Sequence, residues 1–406
     1  MHIEEQPSHT QRHVTIVDPA SGERLDDALC SVMRAPRSYT GDDVVELSCH
    51  GSPALLRVVV ERLCAQGARL AAPGEFTRRA FVNGRLDLAQ AEAVALLISA
   101  RTERAVVLAA RGVAGELGRG LRCLRERLLD LVASLEVALD FPDDGVGSEP
   151  AAAAAEVQGL VAEVATLRER ARRGRIVHDG VTIALVGAPN AGKSSLLNAL
   201  VGRERAIVSP IAGTTRDVIE ATIDLAGIPI RLLDTAGIGV PRDAVEAEGI
   251  RRSRAAIEES DLLLVVIDGS RPPSCAVLEE TAARPRIVVR AKSDLPVDAS
   301  AARIEDAVAV SAVTSSGLDL LTGRICQAVT TRTDGSGELV ASLRQMEMLD
   351  ALQGALVAAA GALEDAPVEV ALVDMREALA HVSALLGLDV GDAVLDRIFA
   401  TFCLGK

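Results

Sequence analysis

Aromatic side chains are almost missing from this chain: of 406 residues, five are Phe, one is Tyr and none is Trp. Modules that stack single-stranded bases on aromatic rings are therefore excluded, and the cores must be built from Leu, Val, Ile and Ala. Positive charge is short as well. Lys and Arg number 43 against 57 Asp and Glu, a formal charge of −14, so bulk electrostatic attraction to RNA or DNA is weak. The seven cysteines are scattered without a Cys-x-x-Cys pair, which argues against a zinc framework or disulfide staple and for a reducing compartment. No apolar run approaches the ~20 residues of a membrane span; Leu262 to Ile267, among the longest, stops at Asp268. The stretch His2 to His13 is polar and lacks the apolar centre of a signal peptide. These absences predict a cytoplasmic protein with no membrane segment.

What is present is the balance of folded protein: 49% apolar residues, 25% charged, 33 Gly and 16 Pro, in a chain long enough for two or three domains. Residues 1–84 mix strand-like pieces (Val14 to Val17, Val44 to Ser48) with an amphipathic helix over Ser52 to Gln66, the pattern of a small α+β domain. In residues 85–175 the period becomes helical: Leu86, Ala89, Ala93, Leu96 and Leu97, then Leu121, Leu124, Leu128, Leu131 and Leu135, recur at three- and four-residue steps. Phe141 to Pro150 breaks that run. Residues 176–334 alternate short apolar runs (Thr182 to Val186, Ile219 to Asp224, Ile230 to Leu233, Leu262 to Ile267, Ile287 to Val289, Val308 to Val310) with helical segments, the signature of a mainly parallel sheet wrapped by helices. The helical period returns over residues 335–406. The expected fold class is thus multidomain α/β and all-α: an N-terminal α+β domain and a discontinuous helical domain into which an α/β domain is inserted.

The chemistry sits in the insert. The strand Thr182 to Val186 runs directly into Gly187-Ala188-Pro189-Asn190-Ala191-Gly192-Lys193-Ser194, and Ser195 to Leu200 continues as a helix. This is the GxxxxGKS phosphate loop in its strand-loop-helix context: backbone N–H groups converge, Lys193 reaches the β and γ phosphates, and Ser194 ligates Mg²⁺. Gly213-Thr214-Thr215-Arg216-Asp217 follows, where a nucleotide hydrolase senses the γ-phosphate, with Thr215 completing the metal shell. Asp234-Thr235-Ala236-Gly237 ends the strand Ile230 to Leu233 and aims a carboxylate at the metal and the Gly237 amide at the γ-phosphate. Ala291-Lys292-Ser293-Asp294 follows a further strand. The Asp294 carboxylate accepts from both N1–H and N2–H₂ of guanine, where adenine presents an acceptor at N1, so the nucleotide is GTP. Such motifs usually begin with Asn or Thr, and Ala291 forgoes roughly 1–3 kcal/mol of loop order or affinity. Ser311-Ala312, after Val308 to Val310, is the element whose backbone touches the base.

Many small GTPases orient the attacking water with a Gln directly after D-x-x-G. Here that residue is Ile238, so another group must serve, and the acidic candidates are Asp243, Glu246 and Glu248. No arginine finger is evident. A monovalent cation held by Asn190 and by carbonyls of Ser209 to Gly213 would supply the missing positive charge. The basic run Arg168, Arg170, Arg172, Arg173 and Arg175 reads as a solvated helix end rather than an RNA contact.

Beyond these motifs, the segment Tyr39 to Leu47 with His50-Gly51, the run Pro73-Gly74-Glu75-Phe76-Thr77, the stretch Asn83 to Glu92 and the ending Phe402-Cys403-Leu404-Gly405-Lys406 resemble the signatures of the MnmE (TrmE) family of bacterial tRNA-uridine modification GTPases, in the TrmE-Era-EngA group. The resemblance covers nearly the whole chain, and the group's Era-like ribosome-assembly GTPases, the alternative together with a non-catalytic nucleotide-gated scaffold, have neither flank. It implies a homodimer through the N-terminal domain and K⁺-stimulated hydrolysis when two G domains meet. By position, the nucleotide contacts run over Asn190 to Ser195, over Ser209, Pro210, Ile211, Ala212, Gly213, Thr214 and Thr215, over Asp234, Thr235, Ala236 and Gly237, and over Lys292, Asp294, Ser311 and Ala312. Asn190, Ser209, Ile211 and Thr214 would hold K⁺, Ser194 and Thr215 would hold Mg²⁺, and Glu246 would orient the water. The resemblance further implies a flavin-dependent (FAD) partner of the MnmG type, which supplies most of the tRNA contact, and modification at C5 of the wobble uridine. A 5-formyltetrahydrofolate-like folate would meet Glu46, Arg85 and Lys406, and Cys403 is the candidate functional thiol. Chains of the family open with a GRG-type segment and an RISG-like arginine that this sequence lacks, so a shortened N-terminal domain is expected.

Overall fold

The computed structural model describes residues 6–141, 150–207, 220–235, 251, 254–330, 337–402 and 405. They divide into two units, one comprising Met1–Ile98, Gly112–Ala165 and Ser342–Lys406, the other Ser99–Arg111 and Thr166–Ala341. In chain order, the first half holds β1 (Thr10–Val17), β2 (Arg24–Met33), β3 (Val44–Ser48), α1 (Pro53–Ala65), α2 (Glu75–Val82), α3 (Leu88–Ser99), α4 (Glu103–Val113), α5 (Glu116–Asp140) and α6 (Pro150–Asp179). Then come β4 (Val181–Val186), α7 (Lys193–Arg203), β5 (Arg205–Ala206), β6 (Glu220–Leu225), β7 (Ile228–Asp234), β8 (Leu262–Asp268), α8 (Cys275–Glu280), β9 (Arg286–Ala291), β10 (Val308–Ala309) and α9 (Leu318–Thr330). The chain closes with α10 (Leu343–Asp365), α11 (Val368–Leu386) and α12 (Asp392–Ala400).

In the first unit β1, β2 and β3 form an antiparallel sheet in that order. The central strand β2 escapes the sequence reading because Asp26 and Asp27 sit in it, yet the pleat is regular: Ala28, Cys30 and Val32 alternate onto the buried face. Asp27 turns outward, where Thr15 Oγ1 donates to it, whereas Asp26 lies on the face of Ala28 with its side chain largely covered and accepts from the His50 backbone N–H. The leucine stripe of α5 behaves as its spacing predicts. Leu121, Leu124, Leu128, Leu131 and Leu135 are all buried.

Two polar devices fix the helices. Asp87 and Gln90 cap α3 reciprocally: Gln90 N donates to Asp87 Oδ1 at 2.8 Å and Asp87 N donates to Gln90 Oε1 at 3.0 Å. This gives part of the Asn83 to Glu92 signature a structural cause. Glu92, buried on α3, accepts from Ser342 Oγ, Gln345 Nε2 and the Arg344 guanidinium, so its charge is matched at the N-terminus of α10, where Ser342 and Gln345 form a capping box. Among the described residues, α10 is long and apolar enough to cross a bilayer by length and composition. Its stripe of Leu349, Leu352, Leu356, Ala359 and Leu363 is buried, and it packs against α11, as a core helix does.

Gly118, inside α5, shows how tightly these devices close. A Cβ there would lie 2.2 Å from Asp87 Oδ2, and that carboxylate is held by Gln90 N and by Arg122 at 2.7 Å. In an exposed helix, Gly→Ala stabilises by roughly 0.5–1 kcal/mol. Here Gly118→Ala is expected to destabilise by about 1–3 kcal/mol, read as a lowered denaturation midpoint, and a raised midpoint would contradict this packing.

The second unit is a seven-stranded sheet in the order β10-β9-β8-β4-β7-β6-β5. The strands from β10 to β7 pair in parallel, whereas β6 pairs antiparallel with both β7 and β5. The local cause is a two-residue turn: Ala226 and Gly227 both have positive φ, 55° and 78°, the geometry that joins neighbouring antiparallel strands. The two-residue β5 was too short to be legible as an apolar run. Both β4 and β8 are buried almost throughout, as central strands covered on two faces must be. Leu196, Leu197 and Leu200 of α7 and Leu318, Leu321 and Ile325 of α9 pack into the main core. Ala184, Val186, Leu263 and Val265 pack with Val277 of α8 in a separate cluster.

Candidate functional site

The buried strand β4 delivers the chain to Gly187, and a Cβ at that position would sit 2.3 Å from the Val266 carbonyl oxygen. Only glycine lets the loop leave β4 so close to β8. Asn190 and Gly192 then take φ of 62° and 102°, turning successive N–H groups into one concavity that ends at the N-terminus of α7. Gly192 caps α7 with no side-chain hydrogen bond, which leaves the first-turn N–H groups for an anion. Lys193 is buried and its Nζ donates to the carbonyls of Gly187 at 3.1 Å and Ala188 at 3.0 Å. Burial lowers its pKa, and the nearby Asp234 charge opposes that shift. An ammonium so placed is ready to exchange carbonyl partners for phosphate oxygens.

At the strand ends beside the loop, Ser194 Oγ donates to Asp234 Oδ2 at 2.5 Å, and Thr235 Oγ1 donates to the Leu185 carbonyl at 2.6 Å. Asp234 Oδ1 is buried with no hydrogen-bond partner among the described residues. A buried carboxylate oxygen facing nothing is costly, and a hydroxyl beside it completes a hard-oxygen donor pair of the kind Mg²⁺ takes.

The residues expected to read the base lie at the tips of β9 and β10. Lys292 holds φ of 59° and its Nζ donates to the Asn190 carbonyl at 3.0 Å and to Asp268 Oδ2 at 2.7 Å. Ser311, fully buried, donates from Oγ to Asp294 Oδ1 at 2.6 Å, and the exposed Asp294 keeps its other oxygen toward solvent. Gly317 permits this closure: a Cβ there would lie 1.9 Å from the Ala309 carbonyl. Ala312 follows Ser311, half-buried. Asp268 was not singled out from the sequence, because an acid closing a strand reads as a terminator.

Asn190, Ala191, Gly192, Lys193, Ser194 and Ser195 thus lie together with Asp234 and Thr235, and Lys292 joins the base end to the phosphate loop. Ser209, Pro210, Ile211, Ala212, Gly213, Thr214, Thr215, Ala236, Gly237, Glu246, Cys403 and Lys406 lie outside the described residues. In the other unit, Glu46 is exposed on β3 and Arg85 is exposed just after α2, its Cγ beside Gly41. A cavity of about 580 Å³ is lined there by Arg69, Glu75, Arg79, Asn83, Asp396 and Phe399. The bidentate Arg69 guanidinium, with the Ala72 N–H, holds the Glu75 carboxyl at about 2. The basic run on α6 is engaged by its own surroundings: Arg173 pairs with Glu169, Arg175 with Asp179, and Arg170 donates to the Gly337 carbonyl.

The family model for the MnmE helical domain matches residues 88–403, and the model for the N-terminus of the GTP-binding protein TrmE matches residues 1–85. A tRNA modification GTPase MnmE of Thermus thermophilus is 44% identical over 394 residues, 96% of this chain and 88% of its own. The proteins of the same name from Koribacter versatilis and Aquifex aeolicus are 43% and 40% identical, over 96% and 97% of this chain and 88% and 90% of theirs. With coverage of that extent in both chains, the chain belongs to the MnmE family and is a GTP-hydrolysing enzyme of tRNA modification.

Proposed function

We propose that this GTPase works as a cytoplasmic homodimer with a flavin-dependent MnmG-type partner to install an aminomethyl or carboxymethylaminomethyl group at C5 of the wobble uridine, U34, of certain tRNAs, and that K⁺ stimulates its GTP hydrolysis. The observation that carries the hydrolytic part is the cradle itself: Gly187 and Gly192 shape it, Lys193 is buried against its carbonyls, and Asp234, bonded to Ser194 of the loop, keeps a buried oxygen with no partner among the described residues. Ser194 and Thr215 would hold Mg²⁺ directly, with Asp234 behind them, and the metal would neutralise charge on the β and γ phosphates. Lys193 would hold the same oxygens from the opposite side. Asn190, Ser209, Ile211 and Thr214 would hold K⁺, which would supply the positive charge that an arginine finger supplies elsewhere.

Glu246 would accept a hydrogen bond from the attacking water and fix its line to the γ-phosphate. At the far end, the Asp294 carboxylate would read guanine while Ser311 keeps it aimed. Glu46 of the N-terminal domain, Arg85 at its border with the helical domain and Lys406 at the end of the chain would hold a folate one-carbon donor, with Cys403 near the same chain end. Domain boundaries near residues 84, 175 and 334 fit this division of labour. The decisive measurement is GTP turnover of the full chain in KCl against NaCl. About tenfold stimulation is expected, a barrier change of about 1.4 kcal/mol, and it should vanish in Glu246→Ala along with most of the activity. Equal rates in the two salts would overturn the cation mechanism.

A further inference from the structure

The position that opens the base-recognition motif carries no polar side chain here, yet the motif is held to the phosphate loop. Ala291 is buried, and its methyl lies 3.5 Å from where a Gly192 Cβ would stand. Nothing polar from residue 291 beyond its backbone reaches the cradle. Lys292 also occupies the left-handed region at φ 59°, a conformation that a residue with a Cβ keeps only when its surroundings hold it. What holds it is visible. Its Nζ is fixed by the Asn190 carbonyl and by Asp268 Oδ2, and the Asp268 side chain is only 12% exposed.

Asp268 is in turn oriented from behind. Its Oδ1 accepts from Ser270 N at 2.9 Å and Ser270 Oγ at 2.7 Å, so Oδ2 is the oxygen left for Lys292. The ends of β8 and β9 are tied as well, Gly269 N donating to the Ala291 carbonyl at 2.9 Å. Burial alone would raise the Asp268 carboxyl, but the bonds from Lys292 and Ser270 outweigh it and hold the group at about 2. It is therefore an anion near neutral pH.

We propose that Asp268 is a positioning residue of the guanine pocket: through Lys292 it clamps the base-reading loop onto the Asn190 carbonyl of the phosphate loop, the task left open by the methyl of Ala291. The inference rests on the guanine pocket proposed above and adds to it the residue that sets how slowly the nucleotide leaves. A charge-assisted bond to a carboxylate whose side chain is only 12% exposed is stronger than a neutral one, although the Lys292 side chain is 35% exposed. Its loss would let the base end and the phosphate end of the site open separately.

The test is a double-mutant cycle on the full chain with Mg²⁺, reading release of a fluorescent N-methylanthraniloyl-GDP by stopped flow. Asp268→Asn is expected to speed release about tenfold, the size of one lost charge-assisted hydrogen bond. Ala291→Asn is expected to slow release, and in its background Asp268→Asn should cost less than about threefold, because the new amide takes over the clamp. A merely structural role for Asp268 would give the same loss in both backgrounds, and that additivity, or release within about twofold of wild type, would overturn the proposal. Ser270→Ala, which frees the back of the carboxylate, gives a second and milder route to the same result: faster release by about threefold, with no change refuting it. If the wild-type chain fails to bind the probe, the pocket reading itself falls; if it binds and the cycle is additive, only the role of Asp268 does.

Discussion

Lys193→Ala is expected to lower GTP turnover by about 10²–10³-fold, the scale seen when one preorganised charge or donor is removed from a developing anion. The reasoning begins with burial. An ammonium group held beneath the phosphate loop is costly to desolvate, as its lowered pKa reflects, and among the described residues of the nucleotide-free chain it gains the two carbonyl contacts at Gly187 and Ala188 and the attraction of the Asp234 charge. Removing it deletes both the penalty and the contacts, so the stability of the nucleotide-free chain should change little. With a triphosphate bound, the same group faces several negative oxygens in a dry cleft and is worth far more. The variant should therefore fold normally but lose the thermal shift that wild type shows with GDP, about 2.7 kcal/mol at a hundredfold excess over Kd. Lys193→Arg should not rescue it, because the branched guanidinium does not fit under a loop that leaves the lysine 7% exposed. Turnover within about threefold of wild type would mean that the phosphates do not sit in this cradle.

How much of this was legible beforehand depended on whether local pattern and global role agreed. Around β4, the loop and α7 they agreed completely: a four-to-six-residue apolar run, a glycine-spaced turn and a helical period follow one another, so the site's floor could be placed from spacing alone. At β2 they conflicted. Asp26 and Asp27 suppress the apolar count, and only the partners show why acids suit this strand: Asp27 faces outward to Thr15 and Arg24, while Asp26, on the face of Ala28, Cys30 and Val32, is satisfied by His50. The mixed character of the large sheet had a similar origin: apolar runs say that strands exist, but the Ala226-Gly227 turn decides that β6 runs against β7. Asp268 escaped for a different reason. Its importance comes from a partner on the next strand and from what residue 291 lacks, neither of which a local pattern contains. The Asp87 and Gln90 pair was read as part of a family signature, whereas its geometry makes it a helix cap.

Asp294→Asn is expected to reverse base preference from GTP to xanthosine triphosphate. Guanine directs two donors, N1–H and N2–H₂, at the carboxylate, while xanthine keeps the first donor and carries an acceptor oxygen at C2. The structure decides how an asparagine would lie. Ser311 Oγ is buried and donates to Asp294 Oδ1 at 2.6 Å, so an Asn at 294 would keep its carbonyl oxygen on Ser311 and swing its amide NH₂ outward. That NH₂ opposes the guanine N2–H₂, donor against donor, and donates to the xanthine oxygen. The bond to N2–H₂ gives way to opposed donors and the bond to N1–H loses its charge; at about 1.5–3 kcal/mol for a charge-assisted bond, the two changes amount to a fall of about 10²–10⁴-fold in GTP affinity. Xanthosine triphosphate should gain over the same range, because a charge-repelled acceptor becomes a satisfied one. Competition between the two nucleotides on both proteins reads the switch directly. The added substitution Ser311→Ala should blur it, since without the hydroxyl the amide is free to flip and present its oxygen to guanine again. A variant that still prefers GTP would place the base somewhere other than the tips of β9 and β10.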